Sequence, residues 1–131
     1  MYFLDTSFLI DIIRGKVEAV KLLKKLDPNN PLITSAINVH EFLVGAHGSQ
    51  NTEGELSARK KVLNKLFIVP FDEMSAEKSA EIEARLRTMG DLIGTADILI
   101  AGVMITNGIS KIVTNNKKHF SRVEGLEVIS Y

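Results

Sequence analysis

Three acidic residues stand where the surrounding apolar pattern leaves them out of place. Asp5 follows the short run Met1-Tyr2-Phe3-Leu4 and precedes the hydroxyl residues Thr6 and Ser7. That run reads as a buried strand, and open α/β sheets bind ligands beyond the carboxyl ends of their strands. Taken alone, Asp5 is better explained as the N-cap of a helix starting near Ser7. Asp97 lies one residue inside the most apolar helical stretch, among Ile98, Leu99, Ile100, Ala101, Val103, Met104 and Ile105. A buried carboxylate there costs several kcal/mol unless it is paired or metal-bound. At an exposed helix start the same acid would merely complement the helix dipole. Glu41 sits mid-helix between His40 and Phe42-Leu43-Val44, where an exposed glutamate is also ordinary. If the sheet sets the first, second and fourth strands side by side, all three acids gather at one edge. Clustered carboxylates repel, raise one another's pKa values and call for a cation. Oxygen ligands of this kind suit Mg2+ or Mn2+, and such ions activate water against phosphodiesters.

The elements that must position these acids alternate along the chain. After Asp5, Phe8–Gly15 reads as a short apolar helix ended by glycine, and Val17–Leu26 as an amphipathic one with Lys21, Lys24 and Lys25 outward. Leu32–Thr34 is a strand, and Ser35 caps a helix reaching about Ala46. Gly48–Gly54 reads as a loop. Glu55–Leu66 follows as a basic amphipathic helix with Arg59, Lys60, Lys61 and Lys65 outward. Phe67–Phe71 is a strand whose Pro70 points to a sheet edge. Met74–Met89 is a charged helix with Ser75 as its cap and sparse apolar positions; the apolar helix Ala96–Asn107 closes at Gly108. Lys111–Thr114 and Leu126–Ile129 are strands flanking a polar stretch, Asn115–Arg122. Alternating strands and helices predict an α/β fold, a parallel sheet with helices on both faces, in one domain over residues 1–131.

Bulk properties narrow the classes. The chain has 131 residues with 16 basic and 16 acidic side chains, so its net charge is zero. Any attraction to nucleic acid must come from local patches. Net neutrality also leaves little charge to oppose self-association. There is no cysteine, which excludes disulfides and cysteine zinc sites and suits the cytoplasm. No apolar run reaches membrane-spanning length, and the first residues lack the pattern of a signal peptide. Neither a G-x-G-x-x-G after a strand nor a P-loop lysine motif is present, which argues against nucleotide binding.

Four segments occur in the order and spacing of the PIN-domain family. They are Phe3-Leu4-Asp5-Thr6-Ser7-Phe8-Leu9-Ile10-Asp11, Ile33-Thr34 leading to Val39-His40-Glu41-Phe42-Leu43-Val44-Gly45, Ile93-Gly94-Thr95-Ala96-Asp97-Ile98-Leu99-Ile100-Ala101, and Ile112-Val113-Thr114-Asn115-Asn116-Lys117-Lys118-His119-Phe120. The chain resembles in particular the small prokaryotic VapC-type toxins. The resemblance implies a sheet of order 3-2-1-4-5 and a Mg2+/Mn2+-dependent endoribonuclease. Asp5, Glu41 and Asp97 map onto the family's first three acids, which bind metal directly or through water. Thr6 or Ser7 would support the site by a hydroxyl, and Thr114 and Asn116 would line it. His119 departs from the pattern, because the family often has a fourth acid there. It would contact a phosphate, ligate the metal as neutral imidazole, or stand on the surface. The resemblance further implies a homodimer and an antitoxin segment docking on an apolar groove near Phe8, Ile12, Ile13, Val17 and Leu23. Lys24, Lys25, Arg59, Lys60, Lys61, Lys117, Lys118 and Arg122 are candidate RNA guides, each of which would otherwise be an ordinary solvated side chain. The alternative is a PIN-fold module that binds RNA or protein without cutting it, since fold does not dictate function.

Overall fold

Phe3 and Leu4 are adjacent in sequence and enter different clusters of the core, and this alternation organises the molecule. The computed structural model describes all 131 residues. The strands are β1 (Tyr2–Leu4), β2 (Leu32–Ser35), β3 (Phe67–Val69), β4 (Lys111–Val113) and β5 (Glu127–Ile129). They form one parallel sheet in the expected order β3-β2-β1-β4-β5. β3 is an edge, as Pro70 predicts, and ends before that proline. Helices α1 (Thr6–Ile13), α2 (Val17–Lys25), α3 (Ala36–His47), α4 (Thr52–Leu63), α5 (Glu73–Thr88), α6 (Thr95–Thr106) and α7 (Lys117–Phe120) connect the strands.

Phe3, Ile33 and Ile112 pack with Ile100 and Met104 of α6 and Phe120 of α7. Leu4 and Val113 pack with Phe8 and Leu9 of α1, Ala19 of α2, Phe42 of α3 and Leu63 of α4. All of these side chains are nearly or fully buried. The polar stretch after β4 thus contains a one-turn helix that its composition hid, and Phe120 anchors it.

Three local expectations are corrected. α4 starts at Thr52 because the Asn51 side chain accepts from the Gly54 amide at 3.2 Å, so the loop before it spans only residues 48–51. α5 is capped by Asp72, whose Oδ1 accepts from the Ser75 amide at 2.9 Å; Ser75 is inside the helix and fully buried. Arg59 does not point outward. It is 7% exposed, its guanidinium lies 4.9 Å from the Phe42 ring centre, and Nη1 donates to the Phe42 carbonyl at 2.6 Å.

The strand ends lock together at the carboxyl edge. The Asp5 amide donates to the Val113 carbonyl at 3.1 Å, the Thr114 amide to the Ile129 carbonyl at 3.1 Å, and the Thr34 hydroxyl to the Leu4 carbonyl at 2.9 Å. These bonds fix where the residues just beyond β1 and β4 project.

Candidate active site

Asp5 occupies the N-cap position of α1, but its side chain makes no capping bond. The carboxylate turns inward instead, and Asp5 is only 4% exposed. Oδ1 accepts from Asn38 Nδ2 at 3.2 Å; Oδ2 accepts from the hydroxyls of Thr114 at 2.6 Å and Ser7 at 3.1 Å. All three partners are neutral. Burial pushes the Asp5 pKa up to about 6; the Thr114 hydroxyl opposes the rise and the charge of Asp97 adds to it.

Glu41 reaches the site through Thr6, whose hydroxyl donates to Oε1 at 2.8 Å. Asn38 donates to the same hydroxyl at 2.9 Å, so Asn38 ties the Glu41 branch to Asp5. Asn38 and Glu41 are three residues apart on α3 and therefore share a face. Ser35 caps this helix as expected, accepting from the Asn38 amide at 3.4 Å. Its hydroxyl also donates to Asn38 Oδ1 at 2.6 Å, which orients the carboxamide with Nδ2 toward Asp5 and Thr6.

Asp97 lies in the first turn of α6, at a helix start where a negative charge is favoured. Its Oδ2 is 2.9 Å from Asn116 Nδ2 and 2.7 Å from His119 Nδ1. The Asn116 backbone amide donates to the Thr114 hydroxyl at 2.9 Å, which closes the path back to Asp5.

A single hydrogen-bonded network thus joins all eight expected residues: Asp5, Thr6, Ser7, Glu41, Asp97, Thr114, Asn116 and His119. Both Thr6 and Ser7 take part. His119 is not a free surface residue, whereas His40 and His47 are exposed and stand outside the network. The expectation from sequence missed Asn38, although its spacing from Glu41 on a capped helix is a usable signal. No three acidic or imidazole groups converge as a ready-made ligand set. Glu41 Oε2 and Asp97 Oδ1 have no protein partner, and no lysine or arginine pairs with any of the three acids. Uncompensated hard oxygen donors around a buried carboxylate fit a divalent cation that keeps part of its water shell.

Known proteins resemble this chain over nearly its whole length. The PIN domain family model matches residues 2–126. The chain is 31% identical over 125 residues to the tRNA(fMet)-specific endonuclease VapC of Shigella flexneri, covering 95% of this chain and 93% of that one. It is 34% identical over 130 residues to ribonuclease VapC1 of Rickettsia felis, covering 97% and 93%. The fold superposes with a TM-score of 0.89 on VapBC2 from Rickettsia felis bound to a DNA fragment from its promoter, at 28% identity over 99% of this chain and 98% of that one. DNA-bound VapBC from Salmonella typhimurium gives 0.87 at 28% identity, covering 98% and 96%. The chain belongs to the PIN-domain family.

Proposed function

We propose that this single-domain protein is a metal-dependent endoribonuclease and the toxin of a type II toxin–antitoxin pair. The observation that carries the reading is the network around Asp5: a buried carboxylate held only by neutral donors and linked to Glu41 and Asp97. Relatives over nearly the whole chain are named VapC endonucleases and ribonucleases.

Asp5, Glu41 and Asp97 would hold the ion, Mg2+ or Mn2+. When bound, a divalent ion activates water and offsets charge on the scissile phosphate. Thr114, Ser7 and Asn38 hold the Asp5 carboxylate in place, and Thr6 does the same for Glu41. Asn116 and His119 fix Asp97. No serine–histidine–carboxylate relay is needed.

The protein partners are an antitoxin and a second copy of the chain. Phe8, Ile12 and Leu23 line an apolar cleft of about 130 Å3 with Leu4, Leu32 and Val62, and it is suited to an apolar antitoxin side chain. Ile13 and Val17 do not line it. Exposed Val44, Phe67, Ile68 and Met74 supply apolar surface for pairing. A chain that stays monomeric at high concentration in light scattering would remove the dimer. No helix is long and apolar enough to cross a membrane, and the protein acts in the cytoplasm in this reading.

The deciding experiment is cleavage of labelled single-stranded RNA in EDTA, Mg2+ and Mn2+ beside Asp5→Asn and Asp97→Asn. Metal-dependent cuts lost in both variants are expected. A folded wild type that cuts nothing across several RNAs, or variants that cut equally well, would overturn the assignment in favour of a non-cutting binding module.

A further inference from the structure

Asp11 lies one turn beyond Ser7 on α1, so the two side chains share a face of that helix. Its side chain is only 14% exposed, and every protein contact it makes falls on Oδ2. That oxygen accepts from the Tyr131 hydroxyl at 2.7 Å and from Asn115 Nδ2 at 3.3 Å, and Lys16 Nζ lies 3.6 Å away. The Tyr131 ring meets Phe8 edge to face with 5.2 Å between centres. Asp11 thus ties α1 to the segments that leave β4 and β5.

Asn115 is the link from Asp11 to the site. Asp11 holds its side chain, and its backbone amide donates to Ser7 Oγ at 3.2 Å. The two anchors stand one helical turn apart, so Asn115 closes a ring of hydrogen bonds over α1. A serine hydroxyl has one proton to give and lone pairs to accept with. The Asn115 amide takes an accepting position, which leaves the Ser7 proton to be donated. Two acceptors stand 3.1 Å from Ser7 Oγ, Asp5 Oδ2 and Thr114 Oγ1. The carboxylate is the stronger acceptor, and Thr114 gives its own proton to the same carboxylate at 2.6 Å.

We infer that Asp11 is a positioning residue, which through Asn115 aims the Ser7 hydroxyl at Asp5. Its effect on cleavage rests on the nuclease reading above; its hold on Asn115 does not. Hydrogen bonding rather than charge carries the effect, since the half-exposed Lys16 forms an ion pair of the kind that contributes little. Asp11 Oδ1 takes no protein partner, so Asp11→Asn can turn its amide group there and still accept from Tyr131 and Asn115.

The test compares wild type with Asp11→Ala and Asp11→Asn. Deuterium exchange of the Asn115 backbone amide, followed by NMR, should be about fivefold faster in Asp11→Ala, the worth of one ordinary hydrogen bond. In RNA cleavage with Mg2+, Asp11→Ala should lower kcat about tenfold with KM unchanged. Asp11→Asn should recover most of both. Asn115 is exposed, so Asn115→Ala reaches the same link without opening the core. It should lose as much kcat as Asp11→Ala, and the double variant no more than either alone. Unchanged exchange in Asp11→Ala, a wild-type kcat in a variant that merely unfolds earlier, additive losses, or an Asp11→Asn as impaired as Asp11→Ala would each overturn the inference and leave the nuclease standing. A wild type that cuts no RNA would overturn the nuclease reading, and the exchange rates would still decide whether Asp11 holds Asn115.

Discussion

The side-chain amide of Asn38 lies 3.2 Å from the Asp5 carboxylate and is the only donor to its Oδ1. Asn38 is itself fully buried, and its other contact anchors Thr6, the partner of Glu41. Asn38→Leu keeps the volume and removes both links. A buried donor or acceptor left unpaired costs about 1–3 kcal/mol, so urea unfolding should show a loss of that order. RNA cleavage should fall further than stability does, because two of the three acids lose their alignment. A variant that unfolds earlier yet cuts at the wild-type rate would assign Asn38 to packing alone.

The raised pKa of Asp5 makes a signed prediction about stability. Its folded value of about 6 lies above the ordinary 3.8. Between those values the folded chain binds more protons than the unfolded one, so stability falls as pH rises through the window. The loss is absent below the ordinary value and complete above the folded one, and amounts to about 3 kcal/mol. Asp5→Asn removes the charge and keeps the shape. It should therefore unfold later than wild type at about pH 7.5 and nearly together with it at about pH 4. Equal unfolding midpoints at both pH values would show that the buried carboxylate carries no such penalty. A nuclease that is more stable without its acid is the pattern expected of a site arranged for chemistry.

What was legible in the sequence and what was not divides along physical lines. Asp5, Glu41 and Asp97 stood out because each breaks an apolar pattern close to a strand end or helix start, where few explanations compete. The parallel sheet was legible because its strands and helices alternate without interruption. Asn38 did not stand out, since a polar residue in the first turn of a helix is unremarkable until its neighbour across the sheet is known. Arg59 sits in a run of basic residues and reads as one of them. Only the fold shows that it faces the Phe42 carbonyl, with Gly45 leaving room for its guanidinium. α5 appeared too polar to be well packed because its contact with α6 uses Ser75, Ser79 and Gly102, whose hydropathy carries no signal.

That small-residue contact gives a third prediction. A Cβ at Gly102 would lie 2.8 Å from the Ser75 carbonyl oxygen, 2.8 Å from Ser79 Cβ and 3.0 Å from the Ser79 amide nitrogen. Two of these neighbours are backbone and cannot swing aside. Gly102→Val should therefore push α5 off α6 and destabilise by about 1–3 kcal/mol, as overpacking does in well-packed cores. α6 carries Asp97, so the same substitution should also slow cleavage. Thermal unfolding and a cleavage assay check both. A variant as stable as wild type would mean that the two helices separate at little cost.

The last prediction separates basic residues that build the fold from those that face solvent. Arg59 Nη1 donates to the Phe42 carbonyl beneath the surface, and Nε lies 3.3 Å from Oε2 of the exposed Glu55 side chain. Arg59→Ala should lower the free energy of unfolding by about 1–3 kcal/mol and leave the salt dependence of RNA binding unchanged. Lys117 and Lys118 are exposed, unpaired and within two residues of Asn116 and His119. Their joint reversal, Lys117→Glu with Lys118→Glu, should change stability by no more than about 0.5 kcal/mol. RNA affinity is best read by fluorescence anisotropy in the Asp97→Asn background, where the strand is expected to stay intact. There the reversal should weaken binding and reduce the slope of log affinity against log salt by about 1.4, roughly 0.7 for each lost phosphate contact on a single strand. If the slope does not move, the RNA does not pass over α7. If Arg59→Ala moves it instead, the buried guanidinium reaches the substrate by a rearrangement of α3 and α4.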